Sequence, residues 1–254
     1  MKQLLKHLAE VNACVVAAKR TYLMLDYDGT LTPIVTDPSR ALLNNEMRRT
    51  LRGISKKPSC TLSIVSGRSL QQVRVLVGIR TAYYMGNHGL EISGPNLSYV
   101  DATAQKCRKN FREISRRLRH FESIGAWIED KHLTLTVHYR NASPRVVPAI
   151  KDAVQSAVHS YPNLNASCGK KTLEIRPRTN WNKGTAANWL IKRLGKGLPI
   201  YVGDDRTDED AFSELRDGIT ILVSRRWKSS LAKYRLDDPR DVDGFLRRLA
   251  LWLK

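Results

Sequence analysis

Two aspartates two positions apart, Asp26 and Asp28, close the apolar run Thr21–Leu25 and stand on a turn tightened by Gly29 and Thr30. Paired carboxylates on such a turn can divide their labour: one attacks an electrophile, the other carries a proton to and from the leaving group. The same residues could instead form an Asx-bonded turn. A calcium loop fits poorly, because its sixth position would be Leu31 rather than Gly and its twelfth Asp37 rather than Glu. A second cluster, Gly203-Asp204-Asp205-Arg206-Thr207-Asp208-Glu209-Asp210, gathers five of the chain's 24 acidic residues within seven positions. Glu209 and Asp210 read as first-turn residues of a helix, where acids offset the N-terminal dipole. Asp204 and Asp205 precede that helix and are left over. Carboxylates with no neighbouring His or Cys suit a hard, oxygen-seeking ion such as Mg2+. Ser66, followed by Gly67 and Arg68, offers a hydroxyl and exposed amides to an anion. Lys183, in Asn182-Lys183-Gly184, offers a cation.

Each of these groups needs a strand or helix to aim it. The apolar stripe of Leu4, Leu5, Leu8, Val11 and Val15 predicts a helix over 3–18. Buried strands at Thr21–Leu25, Cys60–Val65 and Tyr83–Met85 alternate with helices at Asn44–Lys56 and Leu70–Val77. After residue 177 the same alternation resumes: helix Lys183–Leu194, strand Ile200–Val202, helix Glu209–Leu215, strand Ile219–Val223 and helix Val242–Leu253. Polar turns at the C-terminal ends of buried strands predict an α/β, doubly wound parallel sheet, which binds its ligand at those ends. Between the halves the pattern changes. A helix over 104–121, alternating strands at Ala126–Glu129 and Leu133–Tyr139, a helix starting at Ser143-Pro144, and strands at Asn165–Cys168 and Thr172–Arg176 read α-β-β-α-β-β. Ser66 and Lys183 lie 117 positions apart, where a simple crossover unit takes about 30. The expectation is a core of 1–101 and 177–254 with an inserted α+β domain of 102–176.

The chain has 254 residues, 42% of them apolar and 26% charged, enough for a core without disulfide staples. No stretch approaches the roughly 18 apolar residues of a membrane span. Lys6, His7 and Glu10 interrupt any signal-like segment. The four cysteines, Cys14, Cys60, Cys107 and Cys168, lack metal-site spacing and read as reduced thiols of a cytoplasmic protein. The net charge of +19 is concentrated in Lys106–Arg119 and Arg225–Arg248. Both stretches carry helical apolar spacing, so the charges are expected on solvated helix faces.

The ordered set of strings LDYDGTLTPI, IVSGR, GNHGLEI, WIEDKHLTLTVHYR, GKKTLEIRPRTNWNKG and GDDRTDEDAF spans residues 25–212. It resembles the four motifs of the haloacid-dehalogenase-like phosphatases and, more narrowly, the trehalose-6-phosphate phosphatase family. The resemblance implies a hydrolase with Asp26 as nucleophile, Asp28 as general acid and base, and Ser66 and Lys183 on the phosphoryl oxygens. It implies Mg2+ between Asp26, the Asp28 carbonyl and Asp204, with support from Asp208. The role of Asp205 is left open. The inserted domain would be a cap, with Glu129, Lys131 and Glu174 on the sugar; Arg68, Asn87, His88 and Arg140 are weaker substrate candidates, and Arg176 and Arg178 weaker still. A stand-alone, monomeric enzyme acting on a small sugar phosphate is expected, with no specific nucleic acid and no membrane partner. Another sugar phosphate, sucrose 6-phosphate or a glycosyl-phosphoglycerate, is the alternative substrate. The charge leaves a nucleic-acid-binding role as the alternative from another class, one without a compact motif to support it.

Overall fold

In a computed structural model that describes residues 1–35 and 37–254, the chain forms two compact units. Unit 1 comprises Met1–Tyr99 and Trp181–Lys254; unit 2 comprises Val100–Asn180. The first segment of unit 1 runs β1 (Lys2–Gln3), α1 (Leu8–Ala17), β2 (Thr21–Asp26), α2 (Asn45–Ile54), β3 (Cys60–Val65), α3 (Leu70–Val77), β4 (Tyr83–Gly86), β5 (Glu91–Gly94) and β6 (Leu97–Val100). Then follow α4 (Ala102–Lys106), α5 (Arg108–Leu118), β7 (Trp127–Asp130), β8 (Leu135–His138), α6 (Val147–His159), β9 (Leu164–Gly169) and β10 (Thr172–Pro177). The return segment carries α7 (Lys183–Leu194), β11 (Leu198–Gly203), α8 (Glu209–Glu214), β12 (Ile219–Val223), β13 (Tyr234–Leu236) and α9 (Pro239–Trp252).

The sheet of unit 1 has the order β1-β13-β12-β11-β2-β3-β4-β5-β6. It is parallel from β1 to β4, and β5 turns back antiparallel to β4. All six residues of β2 and all five of β12 are buried, as strands covered on both faces must be. One face packs Leu23, Leu25, Ile64 and Val202 against Met47, Leu51, Phe245 and Leu246. The other packs Met24, Val65, Met85 and Tyr201 against Ala186, Leu190 and Phe212. Each such apolar side chain contributes about 1.5–3 kcal/mol on burial. Helix starts are fixed by local chemistry. Asn44 caps α2 by accepting from the Met47 amide, while Ser69 with Gln72 and Asn182 with Thr185 form reciprocal capping boxes on α3 and α7.

Register decides what meets at the C-terminal edge. Asp26 pairs with Val65, so Ser66 follows immediately on one side. Leu25 pairs with Val202, so Gly203 and Asp204 lie on the other. Unit 2 is an antiparallel sheet of order β7-β8-β10-β9, with α5 and α6 on its apolar face around Phe111, Ile114, Val137, Val154 and Leu173.

Several sequence expectations shift. The first helix is split: a 3-10 turn at Leu4–Lys6 precedes α1. The helix expected over 104–121 breaks at Cys107, and a 3-10 segment, Arg119–Ile124, follows α5. The helix expected from Ser143-Pro144 begins at Val147, with Pro148 in its first turn; Ser143 instead closes the preceding turn by accepting from the Val146 amide. Residues 225–233 are not helical, so only the later part of that basic stretch lies on a helix, α9.

Candidate active site

Four strand ends of unit 1 supply the site. Asp26 ends β2 and is 4% exposed. Gly29 turns the chain back with φ +88°, and a Cβ there would fall 2.2 Å from the Asp204 carboxylate, so no other residue allows the two acidic turns to close on each other. Lys183, the first residue of α7, is 2% exposed. Its Nζ donates to Asp26 Oδ1 at 2.7 Å and to Asp208 Oδ1 at 2.8 Å, with Asp205 Oδ1 at 3.9 Å.

Asp208 is a hub. Its Oδ1 also accepts from the Tyr201 hydroxyl at 2.8 Å, and its Oδ2 accepts from the amides of Asp204 and Asp205 at 3.0 and 3.1 Å. It shapes the turn that presents Asp204. Asp205 caps the 3-10 turn Arg206–Asp208 by accepting from the Thr207 amide and hydroxyl. Glu209 and Asp210 stand in the first turn of α8, as expected. Glu209 also accepts from the Leu231 amide and holds the 225–233 segment. Lys228, from that segment, donates to the Asp204 carbonyl.

The electrostatics follow from burial. Burial pushes the Asp26 carboxyl well above its ordinary range; Lys183 opposes the shift, and Asp208 and Asp204 reinforce it. Burial, then Asp205 and Asp208, push Asp204 up to about 7. Asp208 is raised by burial against the pull of Lys183. Burial acts the same way on Asp205, but Lys183 and the Thr207 hydroxyl outweigh it and hold that group low. Burial would neutralise Lys183; Asp208 and Asp26 reverse this and keep its ammonium charged. Among the described residues, Asp26, Asp204 and Asp208 each offer an oxygen within 4.8 Å of the others. An all-carboxylate set of this kind fits a hard divalent cation.

Asp28 lies outside that cluster. Arg68 grips it with two parallel bonds, Nε to Oδ2 at 2.7 Å and Nη2 to Oδ1 at 2.6 Å, and also donates to the Pro38 carbonyl. The guanidinium lies 5.4 Å from the centre of the Tyr27 ring. Ser66 is buried, and its Oγ accepts from the Arg68 amide at 3.1 Å. Asn87 and His88 are buried with positive φ, and their amides donate to the carbonyls of Arg68 and Ser66. The Asn87 amide group reaches Glu91, which also accepts from the Leu70 amide at the start of α3. The His88 ring lies over Gly67, where a Cβ would come within 2.7 Å.

The remaining candidates stand on unit 2. Glu129 and Glu174 both pair with Thr136, one from β7 and one from β10, and form a row on the polar face of the sheet. Glu129 Oε2 meets His138 Nε2 at 2.9 Å, and Lys131 Nζ lies 4.0 Å away. Arg140 sits past the end of β8 and donates to the Lys170 carbonyl. Sequence reasoning missed Tyr201, Lys228, His138 and Trp127, which stacks on His138 at 4.4 Å with its own side chain half exposed. Tyr201 was concealed by its apolar strand. The alternation of β8 did place His138 on the face of Thr136.

The sheet of unit 1, with acidic turns at its strand ends, has the haloacid-dehalogenase-like fold. A haloacid dehalogenase-like hydrolase from Bacteroides thetaiotaomicron has the same fold, with a TM-score of 0.67 at 14% identity over 91% of this chain and 99% of that one. The trehalose-phosphatase family profile matches residues 24–240, and the chain belongs to that family. It is thus a phosphoric monoester hydrolase. Trehalose 6-phosphate phosphatase RA3 of Zea mays is 41% identical over 96% of this chain and 74% of its own length. The Aspergillus fumigatus trehalose-6-phosphate phosphatase is 29% identical with a TM-score of 0.67, over 96% of this chain and 97% of that one.

Proposed function

We propose that the chain hydrolyses trehalose 6-phosphate to trehalose and phosphate through an aspartyl-phosphate on Asp26. The observation that carries this reading is the buried Lys183 ammonium, 2.7 Å from Asp26 Oδ1 at the C-terminal edge of the sheet. A carboxylate attacking a dianion needs a fixed positive charge beside it in a partly dry site. Asp26 Oδ attacks phosphorus, and the bond from phosphorus to the sugar oxygen breaks. Asp28 gives that oxygen a proton. In the second half Asp28 takes a proton from water, the water oxygen bonds to phosphorus, and the bond to Asp26 breaks, releasing phosphate. Arg68 sets the direction of the Asp28 carboxylate in the free chain. Ser66 and Lys183 hold the phosphoryl oxygens.

Asp26, Asp204 and the Asp28 carbonyl would hold Mg2+, with Asp208 acting one step back because both of its oxygens already accept hydrogen bonds. When bound, the ion supplies positive charge to the phosphoryl oxygens. Unit 2 is proposed as the specificity cap, with Glu129, Lys131 and Glu174 on sugar hydroxyls. We further propose a cytoplasmic monomer that works without nucleic acid or membrane.

The test is phosphate release from trehalose 6-phosphate, sucrose 6-phosphate, glucose 6-phosphate and an aryl phosphate, with Mg2+ and with EDTA. The expected result is metal-dependent turnover with trehalose 6-phosphate preferred. Turnover of the aryl phosphate without that preference would keep the chemistry and discard the sugar. No metal-dependent turnover of any of the four would discard both.

A further inference from the structure

Ser66 and Lys183, which the proposed function places on one phosphoryl group, come from opposite ends of a 117-residue excursion. Backbone pairing within the sheet fixes Ser66, because β3 ends there. Lys183 stands at the start of α7, and the strand before it in the chain, β10, belongs to the sheet of unit 2. Something must set the distance between the two.

The turn Asn87–Gly89 touches both. On one side its amides hold the Ser66 loop: Asn87 donates to the Arg68 carbonyl at 2.7 Å and His88 to the Ser66 carbonyl at 2.9 Å. On the other side the Gly89 carbonyl accepts the indole N–H of Trp181, two residues before Lys183. Gly89 has φ +94°, and a Cβ there would fall 2.4 Å from Ala186 and 3.2 Å from the Asn182 carbonyl, so the turn is seated directly against the first turn of α7. The indole is itself fixed. Tyr99 stacks on it at 4.6 Å with 24° between the planes, and Trp189 packs on Tyr99 at 4.9 Å. The adjoining Asn182 then caps α7 through the Thr185 amide. The contacts run without a gap from Ser66 through His88, Gly89, Trp181 and Asn182 to Lys183, and every member belongs to unit 1.

We propose that Trp181 is a positioning residue for the hydrolysis: its indole N–H, held by the Tyr99 stack, sets Lys183 in register with Ser66. The inference rests on the proposed role of those two residues as phosphoryl holders. Trp181 itself touches no reacting atom. A small error in this register acts on the transition state more than on ground-state binding, and misplacement on the ångström scale costs about 100-fold.

The experiment uses the full chain with Mg2+ and compares wild type, Trp181→Phe and Lys183→Ala. Trp181→Phe keeps a ring for Tyr99 to stack on and removes the donor together with part of the indole's area. Turnover is measured with the aryl phosphate, together with inhibition by vanadate, which mimics five-coordinate phosphorus. Trp181→Phe is expected to melt within a few degrees of wild type, to lose about 10–100-fold in kcat with a much smaller change in KM, and to bind vanadate more weakly by a similar factor. A lesion confined to folding would lower the active fraction and leave KM and vanadate affinity at wild-type values; that outcome overturns the inference. So does unchanged kcat and vanadate affinity in Trp181→Phe while Lys183→Ala is inactive, and in that case the proposed function stands. Full turnover in Lys183→Ala would overturn the proposed function itself. If Trp181→Phe does not fold, Tyr99→Leu carries the same reading: a smaller loss of kcat and of vanadate affinity supports the register role, and wild-type vanadate affinity overturns it.

Discussion

The charged groups of the two units are organised in opposite ways. In unit 1, Asp26, Lys183 and Asp208 come from three distant segments and are all but removed from solvent, each bonded to at least one of the others. In unit 2, Glu129 and Glu174 stand in a row across one sheet, set side by side by strand register, and Glu129 also meets His138 at 2.9 Å. The first arrangement is a network in which loss of one member leaves its partners buried and uncompensated. The second is a row whose members can be exchanged one at a time. A fixed network suits a reaction that is the same for every phosphate ester; an exchangeable row suits selection among sugars.

That contrast is most exposed at Asp26 and Lys183. Asp26→Asn is expected to reduce phosphate release by at least about a thousandfold, since the proposed nucleophile is gone. The fold survives, because Lys183 keeps its bond to Asp208. Lys183→Met should abolish turnover and also cost stability, about 3–5 kcal/mol, because two buried carboxylates lose their counter-charge. Urea melts of both variants separate the two effects. A Lys183→Met chain as stable as wild type would show that the network is not a unit.

On unit 2 the expected effects are smaller and confined to one substrate. Glu129→Gln and Glu174→Gln should each lower kcat/KM for trehalose 6-phosphate by about 10–100-fold, the range of one hydrogen bond to a charged group. Turnover of an aryl phosphate should stay at the wild-type rate. If both substrates suffer equally, the row belongs with the chemistry and the contrast between the units fails.

The acidic cluster also gives a pH dependence with a definite sign. In metal-free protein, burial raises Asp204 to about 7, while its unfolded value lies near the ordinary carboxylate range of about 4. The folded state then holds a proton that the unfolded state has lost. Stability from this group is complete below about pH 4 and disappears as pH rises through about 7. Asp26 and Asp208 shift in the same direction. Asp205 is held low, so its contribution changes only at more acid pH and does not cancel the trend. Metal-free melting temperatures should fall from pH 4 to 7. Added Mg2+ should raise them more at pH 7.5 than at pH 5, by mass action on the deprotonated site. A metal-free melting temperature flat across this range would contradict the raised Asp204, and no shift with Mg2+ at pH 7.5 would remove the cluster as the proposed metal site.

The sequence exposed unit 1 wherever apolar runs end in polar turns. Cys60–Val65, Leu70–Val77, Lys183–Leu194 and Ile219–Val223 are found at their expected bounds. The short outer strands β1, β5, β6 and β13 were not legible, since a few residues carry too little periodicity to separate strand from loop. The acids and Lys183 were legible because charge at a strand end or helix start is conspicuous. Tyr201 was not, because an aromatic within Ile200–Val202 reads as core, and its bond to Asp208 depends on a turn seven residues away. The grip of Arg68 on Asp28 joins positions 40 apart in sequence and follows only from the pairing of β2 with β3.

The least effect is expected from the largest charge. On α4 and α5 and just beyond, Lys106, Arg108, Lys109, Arg112, Arg116, Arg117 and Arg119 are all exposed, while Phe111, Ile114 and Leu118 face the core. An amphipathic helix needs only that its outer face be polar. Seven like charges meet that need and also repel one another at low salt. Arg112→Gln with Arg116→Gln should therefore change phosphate release less than twofold and should raise stability at low ionic strength, with the gain fading as salt is added. Melting curves across a salt series would show it. If the same pair of substitutions instead lowered turnover of trehalose 6-phosphate while sparing the aryl phosphate, unit 2 would select its substrate through long-range charge as well as through the Glu129–Glu174 row.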